Sequence, residues 1–244
     1  MTNSSPPVHH HGDQHGDQHG HQHGPAQDAE LAQMFELPWW QERYGAPEAV
    51  WSGRPNSRLV EHAGPLAPGS ALDVGCGEGA DAVWLAERGW TVTAVDFSQA
   101  GIDRARAHAE SVGAEVAACI TWLREDIRVW APPRASFDLV TSQFMQQPTI
   151  VRRPLFARLA EAVRPGGTLL VVGHHPLDID TGLRTPANVE AMQDAMYTAD
   201  QVAADLDPQI WHVQVAEAAG RDVPGPEGDP IRAHDAVLRA RRSA

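Results

Sequence analysis

The feature that most limits what this chain can fold into is a regular alternation of strand-like and helix-like segments hinged on glycines. "SALDVG" predicts a strand, "ADAVWLAERG" a helix closed by Gly89, "WTVTAVDF" a strand, and "SQAGIDRARAHAESVG" a helix with Ser98 as its N-cap. Further strands are expected at "ACITWLRED", "FDLVTSQF" and "TLLVVGHH", with a helix at "RRPLFARLAEAVRPGG" before the last of them. Strands and helices of these lengths in alternation require a parallel sheet covered on both faces. The expected fold class is therefore α/β, a Rossmann-like doubly wound sheet. After Pro176 the rhythm breaks. A mostly polar stretch to about Ile210 carries two helix candidates, "TPANVEAMQDAMY" and "TADQVAADL". Two last strand candidates, "WHVQVAEAAGRDV" and "DAVLRARR", flank the Gly/Pro-rich "PGPEGDPIR", which predicts an antiparallel C-terminal hairpin.

At 244 residues the chain has the length of one such domain. Its first 28 residues are a different material: "HHHGDQHGDQHGHQHG" offers nothing to bury, so residues 1–28 are expected to be a disordered His-rich tail and residues 29–244 the folded domain. His9, His10, His11, His15, His19, His21 and His23 are either a solvated tail or a ligand set for a divalent metal. Order should begin near Ala29 with a short amphipathic helix, "AELAQMFELPWWQERYG", interrupted at Pro38. A formal charge of −13 argues against nucleic acid or an anionic membrane as partner and leaves small molecules as the better class. Only Cys76 and Cys119 are present, and neither a leader pattern nor an apolar run of spanning length occurs, so a reduced, cytoplasmic protein is expected.

The chemistry is concentrated in "LDVGCGEGA", Leu72 to Ala80. Glycines between a strand and a helix let the backbone turn tightly and let a ligand approach without meeting a β-carbon. Gly75, Gly77 and Ala80 satisfy the dinucleotide pattern, and Asp96 ends the next strand where a carboxylate can accept from ribose hydroxyls. The glycines alone do not separate a nicotinamide enzyme from other nucleoside binders. Asp73, however, precedes them in the strand, where it would serve a cationic ligand better than a pyrophosphate. "REDI" then places Asp126 after the third strand to accept from an adenine amino group, with Ile127 over the ring.

Together with "FDLVTSQF" and "VRPGGTLLVV", these segments resemble the class I S-adenosylmethionine-dependent methyltransferases over about Glu36 to Arg242. The resemblance implies that Asp73, Gly75, Cys76, Gly77 and Gly79 line the methionine part of S-adenosylmethionine. It further implies Asp96 and Phe97 at the ribose and adenine, Asp126 and Ile127 at the adenine edge, and Ser142 and Gln143 beneath the sulfonium. "WWQERYGAPEAVWSGRPN" is similar to the N-terminal segment of the tellurite-resistance and thiopurine group of small-molecule methyltransferases. On that likeness Tyr44, Trp51 and Arg54 close the site, with Arg54 available to the cofactor carboxylate. Trp39 and Trp40 are equally well read as core aromatics, and Cys76 most simply as a small packing residue.

Methyl transfer from a sulfonium is an in-line displacement that needs a base only for a protonated acceptor. His174 and His175, at the C-terminal end of a strand, are the candidates; each is also placed to cap the strand. Met145, Gln146 and Gln147, and the methionines of "TPANVEAMQDAMY", are candidate acceptor walls. Two rivals stand beside this reading. One is a nicotinamide-dependent oxidoreductase, which a chain without lysine equips poorly. The other is a cofactor-binding module without turnover.

Overall fold

The computed structural model describes residues 36–46, 48, 50–179, 189–224 and 228–244. The His-rich tail, the expected boundary near residue 28 and the start of the first expected helix lie outside them. In chain order come α1 (Leu37–Gly45), α2 (Ser57–Ala63), β1 (Ser70–Val74), α3 (Ala80–Glu87), β2 (Thr91–Asp96), α4 (Gln99–Val112), α5 (Ala114–Ala118) and β3 (Ile120–Arg124). Then follow β4 (Phe137–Gln143), α6 (Thr149–Ala162), β5 (Val163–His174), a 3-10 turn (Pro176–Ile179), α7 (Val189–Ala195), α8 (Ala199–Ala203), β6 (Trp211–Pro224) and β7 (Pro230–Arg242).

The strands form one seven-stranded sheet in the order β3-β2-β1-β4-β5-β7-β6. The first five are parallel, and β7 runs antiparallel to both β5 and β6. Both faces are buried, and the side chains sort by the strand period of two. Leu72, Val74, Val140, Leu169 and Val171 pack with Phe156, Leu159 and Tyr197 on one face. Ala71, Leu139, Leu170 and Val172 pack with Leu59, Leu85 and Trp84 on the other.

Local signals set most boundaries. Ser98 accepts from the Gly101 N–H at 3.3 Å to cap α4, and Thr198 and Gln201 form a reciprocal capping box on α8. Pro38 lies in the first turn of α1, where its missing N–H falls among groups that have no intrahelical partner anyway; the part of the expected helix before it lies outside the described residues. Two features differ from expectation. Strand β5 begins at Val163, so "VRPGG" belongs to the strand and not to the preceding helix. A five-residue helix, α5, fills the stretch between α4 and β3, to which the sequence assigned no element before the strand.

Because β2 and β4 flank β1, the connections from its two sides diverge. A crevice opens at the C-terminal ends of these strands.

Candidate cofactor and acceptor cleft

At that crevice lies a cleft of ≈ 340 Å³, within the range of small-molecule sites. Its floor is the glycine turn. Gly75, Gly77 and Gly79 have φ of 76°, 51° and 81°, a left-handed backbone that favours glycine. The turn is packed as well as bent. A β-carbon on Gly77 would lie 2.9 Å from the Tyr44 hydroxyl and 3.3 Å from Trp51 Nε1, and one on Gly75 would lie 3.4 Å from Met145 Sδ.

Three carboxyls gather under this turn. Asp96, at the end of β2, accepts from the Gly77 N–H at 3.0 Å and the Ser98 N–H at 2.8 Å. Burial still raises its pKa, outweighing those bonds. Asp81, in the first turn of α3, accepts from the Asn56 N–H at 2.6 Å, and burial pushes it up to about 6. Asp73 is 2% exposed, and its Oδ2 has no hydrogen-bond partner. Burial, then the charges of Asp81 and Asp96, drive its pKa well above the carboxylate range. The same burial, with Asp96 and Asp73, raises the Cys76 thiol, which therefore stays protonated.

Over the floor lies an aromatic cover. Tyr44 is buried; its ring stacks on Trp40 at 5.4 Å, and its hydroxyl accepts from Trp51 Nε1 at 3.2 Å. Trp51 is half exposed, and Arg54 sits exposed at the rim. On the β3 side, Asp126 is held by Arg128, whose Nε reaches Oδ1 at 3.0 Å and whose Nη2 reaches Oδ2 at 2.9 Å. Arg128 thereby depresses the Asp126 pKa. Ile127 is buried beside it.

On the β4 and β5 side, the wall comprises Gln143, Phe144, Met145, Gln146, Gln147, His174 and Met192. Phe144 takes a φ of 52°, rare for a residue with a β-carbon, and its ring lies 4.6 Å from that of His174.

The structure thus brings Tyr44, Trp51, Arg54, Gly75, Cys76, Gly77, Gly79, Asp96, Phe97, Asp126, Ile127, Gln143 and His174 onto one cleft. Three of the residues singled out in the sequence lie off its wall. Asp73 is beneath the turn. Ser142 points behind β4 to donate to the Val74 carbonyl at 3.3 Å. His175 turns away, its Nδ1 accepting from the Leu177 N–H at 3.1 Å, and burial lowers its pKa. The seven tail histidines lie outside the described residues, among which no metal-ligating cluster occurs.

Four residues escaped sequence reasoning: Glu78, Asp81, Asn56 and Arg104. The acidic residues in "GEGAD" were the available signal, since a turn built for pyrophosphate has no use for carboxylates at a helix start.

The group these residues suit is a cation with ribose hydroxyls. The unpaired Asp73 oxygen, the carboxyls of Asp81 and Asp96 and the glycine turn all fit S-adenosylmethionine, which carries a sulfonium and an ammonium. Comparison with known proteins agrees. Residues 71–167 match the methyltransferase-domain family. An uncharacterized methyltransferase of Mycobacterium tuberculosis (strain ATCC 25618 / H37Rv) is 39% identical over 114 residues, 47% of this chain and 55% of that protein. The trans-aconitate 2-methyltransferase of Acidovorax sp. (strain JS42) is 30% identical over 174 residues, 69% of this chain and 64% of that one. Matches thus span about half to two thirds of these relatives' lengths. The crystal structure of TehB from Haemophilus influenzae superposes with a TM-score of 0.61 over 84% of this chain and 66% of that one, at 18% identity, a likeness of fold.

Proposed function

This chain belongs to the class I S-adenosylmethionine-dependent methyltransferases, and on that premise we propose that it transfers the cofactor's methyl group to a small-molecule acceptor bound in the same cleft. The observation that carries the reading is the acidic floor. Asp73, Asp81 and Asp96 meet under the glycine turn, and among the described residues no arginine or histidine forms an ion pair with any of them. A cationic ligand would relieve three costly carboxyls at once. A dinucleotide would instead press its pyrophosphate against Glu78 and Asp81.

When bound, S-adenosylmethionine supplies the methyl group and the thioether leaving group, so alignment and exclusion of water fall to the protein. Asp96 keeps lone pairs for the ribose hydroxyls beyond the two backbone N–H groups it accepts. Asp73 and Asp81 attract the ammonium, Phe97 and Ile127 cover the adenine, and Asp126 meets its edge while Arg128 holds the carboxylate in place. Arg54 at the rim takes the cofactor carboxylate. Tyr44, Trp51, Met145 and Met192 keep water out. His174 is placed to take a proton from a hydroxyl or amine acceptor, whereas His175 serves the following turn. A thiolate acceptor would need no base. A small acceptor also accords with the relative that acts on trans-aconitate. Ser142 supports β1 from behind the site, and Cys76 packs in the turn.

The test is calorimetric titration of the chain with S-adenosylhomocysteine, with NAD as the comparison ligand. One-to-one binding of the first alone is expected, and Asp96→Ala should weaken it roughly ten- to hundredfold, the loss of hydrogen bonds to a charged group. A folded wild-type chain that binds neither ligand would sink the proposal. Binding without turnover on thiols, phenols and carboxylic acids would point to a cofactor-binding module.

A further inference from the structure

The cover over the cleft is held by two residues that no part of the chemistry uses. Glu78, in the glycine turn, is 8% exposed. Its Oε1 accepts from the Val50 N–H at 3.1 Å and from Arg104 Nη1 at 2.7 Å, and its Oε2 from the Trp51 N–H at 3.0 Å. Arg104, on α4, donates in addition to the Glu48 carbonyl at 2.8 Å and to the Ala46 carbonyl. One partly buried ion pair thus takes up two N–H groups and two carbonyls of the segment between α1 and α2. That segment carries Trp51, and Tyr44 at the end of α1 packs against Gly77 and Gly101 beneath it.

The geometry has an energetic meaning. The described residues of this segment, 46, 48, 50 and 51, belong to no helix or strand, so their backbone groups need partners from outside it. Glu78 supplies acceptors and Arg104 donors. Burial by itself would raise the Glu78 pKa; the Arg104 contact and the Val50 and Trp51 N–H groups outweigh it and hold the carboxyl below its usual range. The carboxylate is thus favoured over the carboxylic acid, and its bonds are of the strong, charge-assisted kind. Among the described residues, Arg104 pairs with no other acidic side chain.

We propose that Glu78 and Arg104 are positioning residues: a clasp that fastens the Tyr44–Trp51 cover onto the glycine turn and so sets how long the cofactor stays bound. This rests on the reading that S-adenosylmethionine occupies the cleft. Neither residue touches the reacting atoms. Their effect runs through Trp51 and Tyr44, which must lift for ligand to leave. Lifting the cover costs the two N–H bonds on Glu78 and the two carbonyl bonds on Arg104, so release is slow while the clasp is intact.

The experiment measures the dissociation rate of S-adenosylhomocysteine from the full chain, together with hydrogen–deuterium exchange over residues 45–54, in wild type, Arg104→Gln, Glu78→Gln and Arg104→Lys. Arg104→Gln and Glu78→Gln should speed dissociation roughly ten- to hundredfold and raise exchange in 45–54. Exchange in β1, β4 and β5 should stay as in wild type. Arg104→Lys, which keeps the charge on a single donor group, should recover part of both effects. Faster exchange with an unchanged dissociation rate in Arg104→Gln and Glu78→Gln would overturn the clasp, leaving the contact purely structural. Wild-type chain that binds no S-adenosylhomocysteine would overturn the cofactor reading and the clasp with it. If Arg104→Gln does not fold, the other two variants decide by the same readouts.

Discussion

At the scale of single residues the site is shaped by carboxyls whose burial opposes their charge. Asp81 shows the consequence. The folded protein holds its carboxyl up to about 6, whereas in an unfolded chain it would release its proton near pH 4. The folded state therefore binds this proton more tightly. The contribution to stability is complete below about pH 4 and is lost as the pH rises through about 6. Asp81→Asn keeps an oxygen to accept from the Asn56 N–H but has no charge to bury. Without ligand the variant should melt above wild type at pH 7.5, and the gap should narrow toward pH 5. Scanning calorimetry of both proteins at the two pH values checks this, and subtracting one from the other removes the acid sensitivity of His175 and His62, whose pKa values burial lowers. The same substitution should weaken S-adenosylhomocysteine, because the ammonium loses a carboxylate. A variant that melted below wild type at pH 7.5 would mean that the Asp81 charge is already compensated in the free protein.

At the scale of elements, the turn between β1 and α3 is a joint in which backbone conformation and packing agree. Gly79 has a φ of 81°, and a β-carbon there would lie 2.7 Å from both Ala105 Cβ on α4 and Trp122 Cη2 on β3. Gly79→Ala thus meets a left-handed backbone and two contacts that cannot both yield. The expected loss is about 2–4 kcal/mol of unfolding free energy, read from urea denaturation, with the slope unchanged. A loss under about 0.5 kcal/mol, the range of ordinary surface substitutions, would show that α3 shifts freely away from its neighbours. At the other lip of the cleft, Gly173 is the penultimate residue of β5, and Tyr197 lies so close to it that an added β-carbon would come within 2.3 Å of its hydroxyl. The next residue, His174, lies with its ring 4.6 Å from that of Phe144, so the packing around the candidate base lies well outside the glycine turn.

At the scale of the whole molecule, the cleft is assembled by a sheet whose order places β2 and β4 on either side of β1. Removing residues 1–27 should therefore leave the affinity for S-adenosylhomocysteine unchanged. Any affinity for zinc or nickel carried by the tail histidines should vanish with them, which calorimetry on the two forms would read directly. An equal loss of cofactor affinity would place the tail in the site. The sequence by itself determined what depends on near neighbours. The strands follow from alternation between two buried faces, α4 and α8 from their caps, and the turn from glycines that alone accept its φ values easily. Asp96 was legible for the same reason, since a strand end some twenty residues past the turn has few other places to be. The tertiary structure decided which carboxylate does what. Asp81 meets Asn56 across 25 positions, Glu78 meets Arg104 across 26, and Arg104 reaches Ala46 across 58. No local period or spacing encodes such pairs. They arise where α1, the start of α2, α4 and the glycine turn converge, and only there does a charge acquire the buried neighbours that fix its pKa and its role.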